Sequence, residues 1–260
     1  MQARWKMYFN YDHLNFVYEP FPIGLAKPVM DEQVYSELTN AWPDTELFEF
    51  KPELGNKYAL SQKFHSRQYH DFVSSTPVWK GFHRWIKSDD FVYGIIDVLK
   101  KHNIDLGYKR MSFPRRMQKR IKNVLHGNLF PRIPKLRARF EFQMMPANGG
   151  HILPHTDTPQ KIITLVISMA QEGAWDPAFG GGTDMNRPKD IRQNFNYLNR
   201  QSRFEDMEVV NTFEYTPNQA VIFIKTFNSW HSVQPMQGTD SSAMRKTLII
   251  NIEKPKDVVI

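Results

Sequence analysis

No cysteine occurs anywhere in the chain, so disulfides, thiolate metal ligands and a cysteine nucleophile are all excluded. Long apolar runs are missing too. Nothing approaches the roughly 18 consecutive apolar residues that a membrane-spanning helix needs. The opening MQARWKMYFNYDHLNF has neither the apolar stretch nor the small-residue cleavage site of a secretory signal, which makes the cytoplasm the expected location. Internal repeats, low-complexity tracts and long Gly/Ser linkers are absent as well. What is there, 41% hydrophobic and 13% aromatic residues over a length of 260, suits a well-buried globular chain. One domain over residues 1–260 is expected, with a helical region ahead of its core.

Acidic residues are lacking in one particular place. From Lys109 to Arg139 there are eleven Lys or Arg and no Asp or Glu, while the rest of the chain holds 23 basic against 27 acidic residues. The net charge of +7 is therefore local. Such a patch is either a solvated helix face or a contact for an anionic partner. The partners considered are a membrane surface touched peripherally, an acidic glycan or polymer, and a nucleic-acid backbone. Phe113 and Phe130 are its few aromatics, which weakens base stacking and makes nucleic acid the less favoured partner.

Periodicity divides the chain in two. In the first part, Met30-Asp31-Glu32-Gln33 opens a helix carried by Tyr35, Leu38 and Ala41 and stopped at Trp42-Pro43. Ser75-Thr76-Pro77 caps a second, running to Ile86, and Ser88-Asp89-Asp90 a third, with Val92, Ile95, Ile96 and Leu99 on one stripe. The spacing of Met117, Ile121, Val124 and Leu125 predicts another helix over Arg116 to Phe130. From Leu136 the pattern changes. Residues 137–145 alternate, Pro146 to Gly150 reads as a turn, and 161–168, 220–224 and 246–252 are apolar strands. Helices in front (1–135) and an antiparallel sandwich or jelly roll behind (136–253) is the architecture expected, mainly β with flanking helices, α+β in class.

Within that second part stands Leu153-Pro154-His155-Thr156-Asp157. An imidazole and a carboxylate two residues apart face the same way on an extended strand. A lone His-x-Asp triplet is common by chance, and by itself it reads as a surface pair. A second histidine, His231, follows the strand that ends at Ile224, and Arg245 and Thr247 come after it on one face of the last strand. Two neutral nitrogens and one anionic oxygen on one face of a ferrous ion leave three positions open for a bidentate 2-oxo acid and dioxygen. A guanidinium suits the far carboxylate of such an acid, because it forks onto both oxygens and stays charged when buried.

In these residues the chain resembles the 2-oxoglutarate- and iron(II)-dependent oxygenases, in particular the branch of the prolyl 4-hydroxylases. The resemblance covers about Leu136 to Glu253. Met145-Pro146-Ala147-Asn148-Gly149-Gly150-His151 is similar to the branch's turn before the first ligand, and Ile163 to Met169 to the strand after it. Gly180-Gly181-Gly182-Thr183 falls where the family has a Gly-Gly pair opening an edge strand. His231-Ser232-Val233-Gln234-Pro235-Met236 resembles its His-x-Val-x-Pro segment, and Arg245-Lys246-Thr247 its Arg-x-Ser/Thr. The resemblance implies a double-stranded β-helix (jelly-roll, cupin-like) core with Fe(II), 2-oxoglutarate and O2. It implies His155, Asp157 and His231 as metal ligands, Arg245 and Thr247 on 2-oxoglutarate, and Thr164 and Gln143 as further co-substrate contacts. The implied reaction couples decarboxylation of 2-oxoglutarate to hydroxylation of a C–H bond. Met145 and Ser168 stand where the prolyl hydroxylases often carry tyrosine, so the co-substrate's hydrogen bonds differ in part.

The substrate stays open: a small molecule, a saccharide or lipid-linked sugar, or a protein side chain, with an anionic one favoured by the charge. Two other readings stand beside this one. The first is oxidative demethylation of nucleic acid, for which only the charge speaks. The second is a catalytically silent jelly-roll binding module, which would have no need of the triad or of Arg245. The Gly180-Gly181-Gly182 run is not a phosphate loop, since no Lys-Ser/Thr and no helix signal follow it.

Overall fold

The computed structural model describes residues 8–125, 135–239 and 242–255. In chain order it contains β1 (Asn15–Val17), β2 (Ile23–Ala26), α1 (Glu32–Asn40), β3 (Glu49–Lys51) and β4 (Lys57–Ser61). Then come α2 (Ser66–Ser75), α3 (Pro77–Ile86), α4 (Asp89–Lys101) and α5 (Phe113–Leu125). The remainder is β: β5 (Arg137–Pro146), β6 (Ile152–His155), β7 (Lys161–Ser168), β8 (Thr183–Pro188), β9 (Met207–Phe213), β10 (Ala220–Ile224), β11 (His231–Val233) and β12 (Met244–Glu253).

All strand pairings are antiparallel. They form an eight-stranded sheet in the order β1-β2-β10-β7-β12-β5-β4-β3 and a four-stranded sheet in the order β6-β11-β8-β9. This is the expected jelly-roll core. Consecutive strands alternate between the sheets, β6 in the small one, β7 in the large, β8 and β9 in the small, β10 in the large, so residues distant in sequence meet across the gap.

The helices form where the sequence places their signals. Asp31 accepts from Gln33 N (3.0 Å) at the head of α1, and Ser88 Oγ from Phe91 N (3.2 Å) at the head of α4. Asp89 and Asp90 in the first turn of α4, with Lys100 and Lys101 in its last, complement the helix dipole. Pro77 occupies the first turn of α3, where its missing N–H costs nothing. The expected helix over 116–130 starts earlier, at Phe113, and its last five residues lie outside the described ones.

Sequence patterning did not reveal α2, whose only buried side chains are Tyr69 and Val73. Nor did it reveal β1 to β4. These four strands come from the region expected to be mainly helical and extend both edges of the large sheet. They are three to five residues long, too short for alternation to show. Their existence depends on the edges that β10 and β5 offer them.

The large sheet has two unlike faces. Phe140 and Phe142 of β5, Ile163, Leu165 and Ile167 of β7, and Leu248, Ile250 and Ile252 of β12 point to the helices and share one core with them. Trp79 of α3 meets Phe142 edge-on at 4.7 Å between ring centroids, and Phe140 and Phe142 are 5.0 Å apart. Burying each such ring contributes about 1.5–3 kcal/mol. The opposite face, turned toward the small sheet, carries Gln143, Thr164, Ser168, Arg245, Thr247 and Asn251, all buried.

Candidate metal centre

β6 ends on His155 and β11 begins on His231, and the antiparallel register pairs these two residues directly. Their rings consequently lie with centroids 4.3 Å apart. In each ring Nδ1 is 2.9 Å from a carbonyl two residues earlier, Leu153 O for His155 and Ser229 O for His231. A carbonyl only accepts, so Nδ1 carries the proton in both and each Nε2 keeps a free lone pair. Phe223 of β10 stacks on the His231 ring at 4.2 Å and 23°. Asp157, two residues beyond the end of β6, completes the set. One possible ligand atom from each of the three lies within 4.8 Å of the others. Among the described residues this is the group of His, Cys, Asp and Glu side chains arranged to hold a metal ion.

The electrostatics match that chemistry. Burial, with His231 alongside, drives the His155 imidazole down to about 3, and burial lowers His231 as well. Both rings are neutral at neutral pH, with lone pairs available to a metal ion. Burial works to raise the Asp157 carboxyl, but Lys161 and the two imidazoles outweigh it and hold it below the usual carboxylate range. Both Asp157 oxygens have partners. Lys161 Nζ donates to Oδ1, and Thr164 Oγ1 donates to Oδ2 at 2.6 Å. Thr164 in turn lies 2.9 Å from the Asn251 side-chain amide on β12.

Register carries the polar face onward from Thr164. Asn251 is the Cα partner of Thr164, and Thr247 that of both Ser168 and Gln143. Counting by twos along β12, Asn251, Ile249, Thr247 and Arg245 therefore share one face. Arg245 is 2% exposed, and no carboxylate pairs with it among the described residues. Its Nε donates to Gly181 O at 2.6 Å, and its guanidinium carbon sits 4.9 Å from the centre of the Tyr215 ring. Burial lowers its pKa to about 10, which leaves the cation intact at neutral pH. Two donors nearby, Thr247 Oγ1 and Gln143 Nε2, are buried without a hydrogen-bond partner. A buried cation and buried donors with nothing to bind are costly unless an anionic, oxygen-rich group sits among them. The residues present thus fit a ligand carboxylate held near Arg245.

Three proteins of known structure illustrate what this chain is similar to. One is a Pseudomonas putida prolyl-4-hydroxylase, at 16% identity over 58% of this chain and 68% of its own, with a TM-score of 0.31. Another is the prolyl hydroxylase of Trichoplax adhaerens in complex with a hypoxia-inducible-factor peptide fragment. It is 9% identical over 89% of this chain and 83% of its own, TM-score 0.43. A third is the non-heme alpha-ketoglutarate-dependent epimerase SnoN of nogalamycin biosynthesis, 12% identical over 96% and 82%, TM-score 0.45. No protein-family model and no curated protein matches the chain.

Several residues at the site escaped the sequence reading. Tyr215 fixes Arg245 from beneath and anchors β12 by donating to Lys246 O at 2.6 Å, but no local motif marks it. Asn251 was visible in principle, as a polar residue of the same parity as Arg245 and Thr247 in an otherwise apolar strand. Lys161 was visible only as a strand boundary. The glycine run has a role too. Gly181 adopts φ +83°, and a Cβ there would lie 3.1 Å from Arg245 Cδ and 3.0 Å from Met236 Sδ. Glycine lets the backbone carbonyl reach the guanidinium. The strand that follows, β8, lies between β11 and β9 rather than at the edge of its sheet.

Proposed function

We propose that this chain is an Fe(II)- and 2-oxoglutarate-dependent dioxygenase, a single domain over residues 1–260 that hydroxylates a C–H bond. Its substrate is a small molecule, a saccharide or lipid-linked sugar, or a protein side chain, with an anionic one favoured by the charge. In this reading His155, Asp157 and His231 hold the iron. Arg245 forks onto the far carboxylate of 2-oxoglutarate, with Thr247 and Gln143 donating to it. Bound iron, 2-oxoglutarate and O2 together supply the oxidising chemistry, in which 2-oxoglutarate becomes succinate and CO2. The chain's own work is placement. The Nδ1 hydrogen bonds aim both Nε2 atoms, and Lys161 and Thr164 orient the carboxylate. The paired sheets keep the carboxylate end of the site dry.

The observation that carries this reading is the buried Arg245, unpaired by any carboxylate of the described residues, on the sheet face that also bears Thr164, the partner of Asp157. A silent binding module has no use for that cation. The test is thermal unfolding with manganese(II), 2-oxoglutarate, both or neither, followed by succinate formation with Fe(II) in air. The two ligands should raise Tm together by more than the sum of their separate effects, and succinate should form slowly even without substrate. His155→Ala should abolish both results. Arg245→Ala should keep the metal shift but lose the 2-oxoglutarate increment. An unchanged 2-oxoglutarate increment in Arg245→Ala would sink the assignment.

A further inference from the structure

Among the described residues, none from the basic region that the sequence singles out belongs to the metal centre. Its helix, α5, leaves an apolar stripe in water. Phe113, Met117, Ile121 and Val124 recur at the spacing of one helix face and are 76%, 40%, 55% and 43% exposed. The same thirteen residues hold five Lys or Arg and no acid. A helix that must stay in water has no reason to carry this stripe, and one that binds a polyanion through charge alone has no use for it.

The placement of α5 is equally specific. Arg110, just before it, pairs with Asp90 at 2.7 Å, and Lys135, beyond it, pairs with Asp89 at 3.0 Å. Residues 110 and 135, on either side of α5, are therefore both tied to the first turn of α4. Lys87, two residues ahead of that turn, donates to Ala138 O at 2.8 Å, so these ties stand at the start of β5, where α5 is rooted. There the register runs Arg137, Glu253, Lys161 across β5, β12 and β7. Lys161 is the residue that donates to Asp157. The root of α5 and Lys161, which reaches Asp157 from the large sheet, thus stand at one end of that sheet.

We propose that α5 is an interfacial helix that seats the protein on an anionic lipid bilayer, its apolar stripe in the acyl boundary and its basic residues among the headgroups. Charge complementarity identifies the occupant. The excess positive charge of the whole chain is confined to this region, and an interfacial helix needs both the stripe and the cations. Seated in this way, the bilayer lies at the end of the large sheet where Lys161, the partner of Asp157, stands. The proposal does not rest on the oxygenase reading.

The experiment is co-sedimentation of the full chain with phosphatidylglycerol or phosphatidylcholine vesicles, at low salt and at about 0.3 M, where screening is strong. Binding to phosphatidylglycerol should be at least about tenfold tighter and should weaken about tenfold in the higher salt. The double variant Phe113→Ser, Ile121→Ser keeps every charge and should lose about tenfold or more of the vesicle binding, with Tm unchanged because both side chains are exposed. Arg115→Glu should weaken binding to phosphatidylglycerol and leave the residual phosphatidylcholine binding unaltered. Three results would overturn the proposal: no vesicle binding at low salt, undiminished binding by the double variant, or binding to polyuridylate tighter than to the anionic vesicles. None of these readouts involves turnover, so failure here leaves the iron site untouched.

Discussion

Thr164 shows how much a single hydroxyl controls at this site. It is buried on the face between the sheets, and its one proton goes to Asp157 Oδ2, so it fixes the rotamer of the carboxylate without being a ligand itself. Thr164→Val keeps the shape and removes that hydrogen bond. On the proposed role of Asp157 as a metal ligand, manganese(II) affinity measured by calorimetry should fall by about 10- to 100-fold, the usual cost of losing a hydrogen-bond partner of a ligand. Secondary structure should not change. A second residue, Gly181, is expected to separate the two ligands of the site. Gly181→Ala puts a Cβ beside Arg245 Cδ at a positive φ, and should weaken 2-oxoglutarate binding while metal affinity stays within about twofold. Equal losses for both ligands would mean that Gly181 supports the whole centre rather than the guanidinium. At this scale the sequence was readable where a motif concentrates chemistry: the residues that the structure brings within 4.8 Å, His155, Asp157 and His231, stand in short recognisable stretches. Tyr215 and Lys161 act through contacts made only by folding, and no local pattern announces such contacts.

The elements follow a related rule. β7 and β10 have the bounds that their apolar runs predict, and α1, α3 and α4 begin at the caps that their sequences carry. Long or capped segments encode themselves. The short strands β1 to β4 and the polar helix α2 do not, because what stabilises them is the surface they lie on. For the strands it is the edges of β10 and β5, and for α2 it is the outer face of the large sheet, whose centre, Phe142, is packed within 6 Å by the rings of Trp42, Phe72, Trp79 and Phe140. Phe142→Ala should cost about 3–5 kcal/mol, because α1, α2 and α3 cannot all close on the cavity at once. Urea unfolding monitored by circular dichroism measures it. The m-value should be unchanged if helices and sheet unfold as one unit. A lower m-value would show the helical layer melting separately from the jelly roll.

For the molecule as a whole, the helical layer also sets how stability responds to acid. His83 of α3 is packed under that layer and shares a 2.8 Å hydrogen bond with the hydroxyl of Tyr69. Burial, reinforced by Lys87 and His70, lowers its pKa to about 4, against about 6.5 in an unfolded chain. Between those two values the unfolded chain takes up a proton that the folded one refuses. The stabilisation from His83 is therefore complete above the unfolded value and is lost as pH falls through the window toward the folded one. Asp157 and Glu141, both held below the usual carboxylate range, act in the same direction but only at lower pH, where unfolded carboxyls begin to protonate. The two effects can be told apart by window. His83→Gln can still bond to the Tyr69 hydroxyl and does not titrate. Compared with the parent chain, it should show a smaller fall in Tm between about pH 6.5 and 5 and an unchanged fall below about pH 4. Identical Tm profiles for the two proteins over the upper window would mean that the charged imidazole finds water in the folded state, and that the contact between α2 and α3 opens at mild acidity without unfolding the sheet.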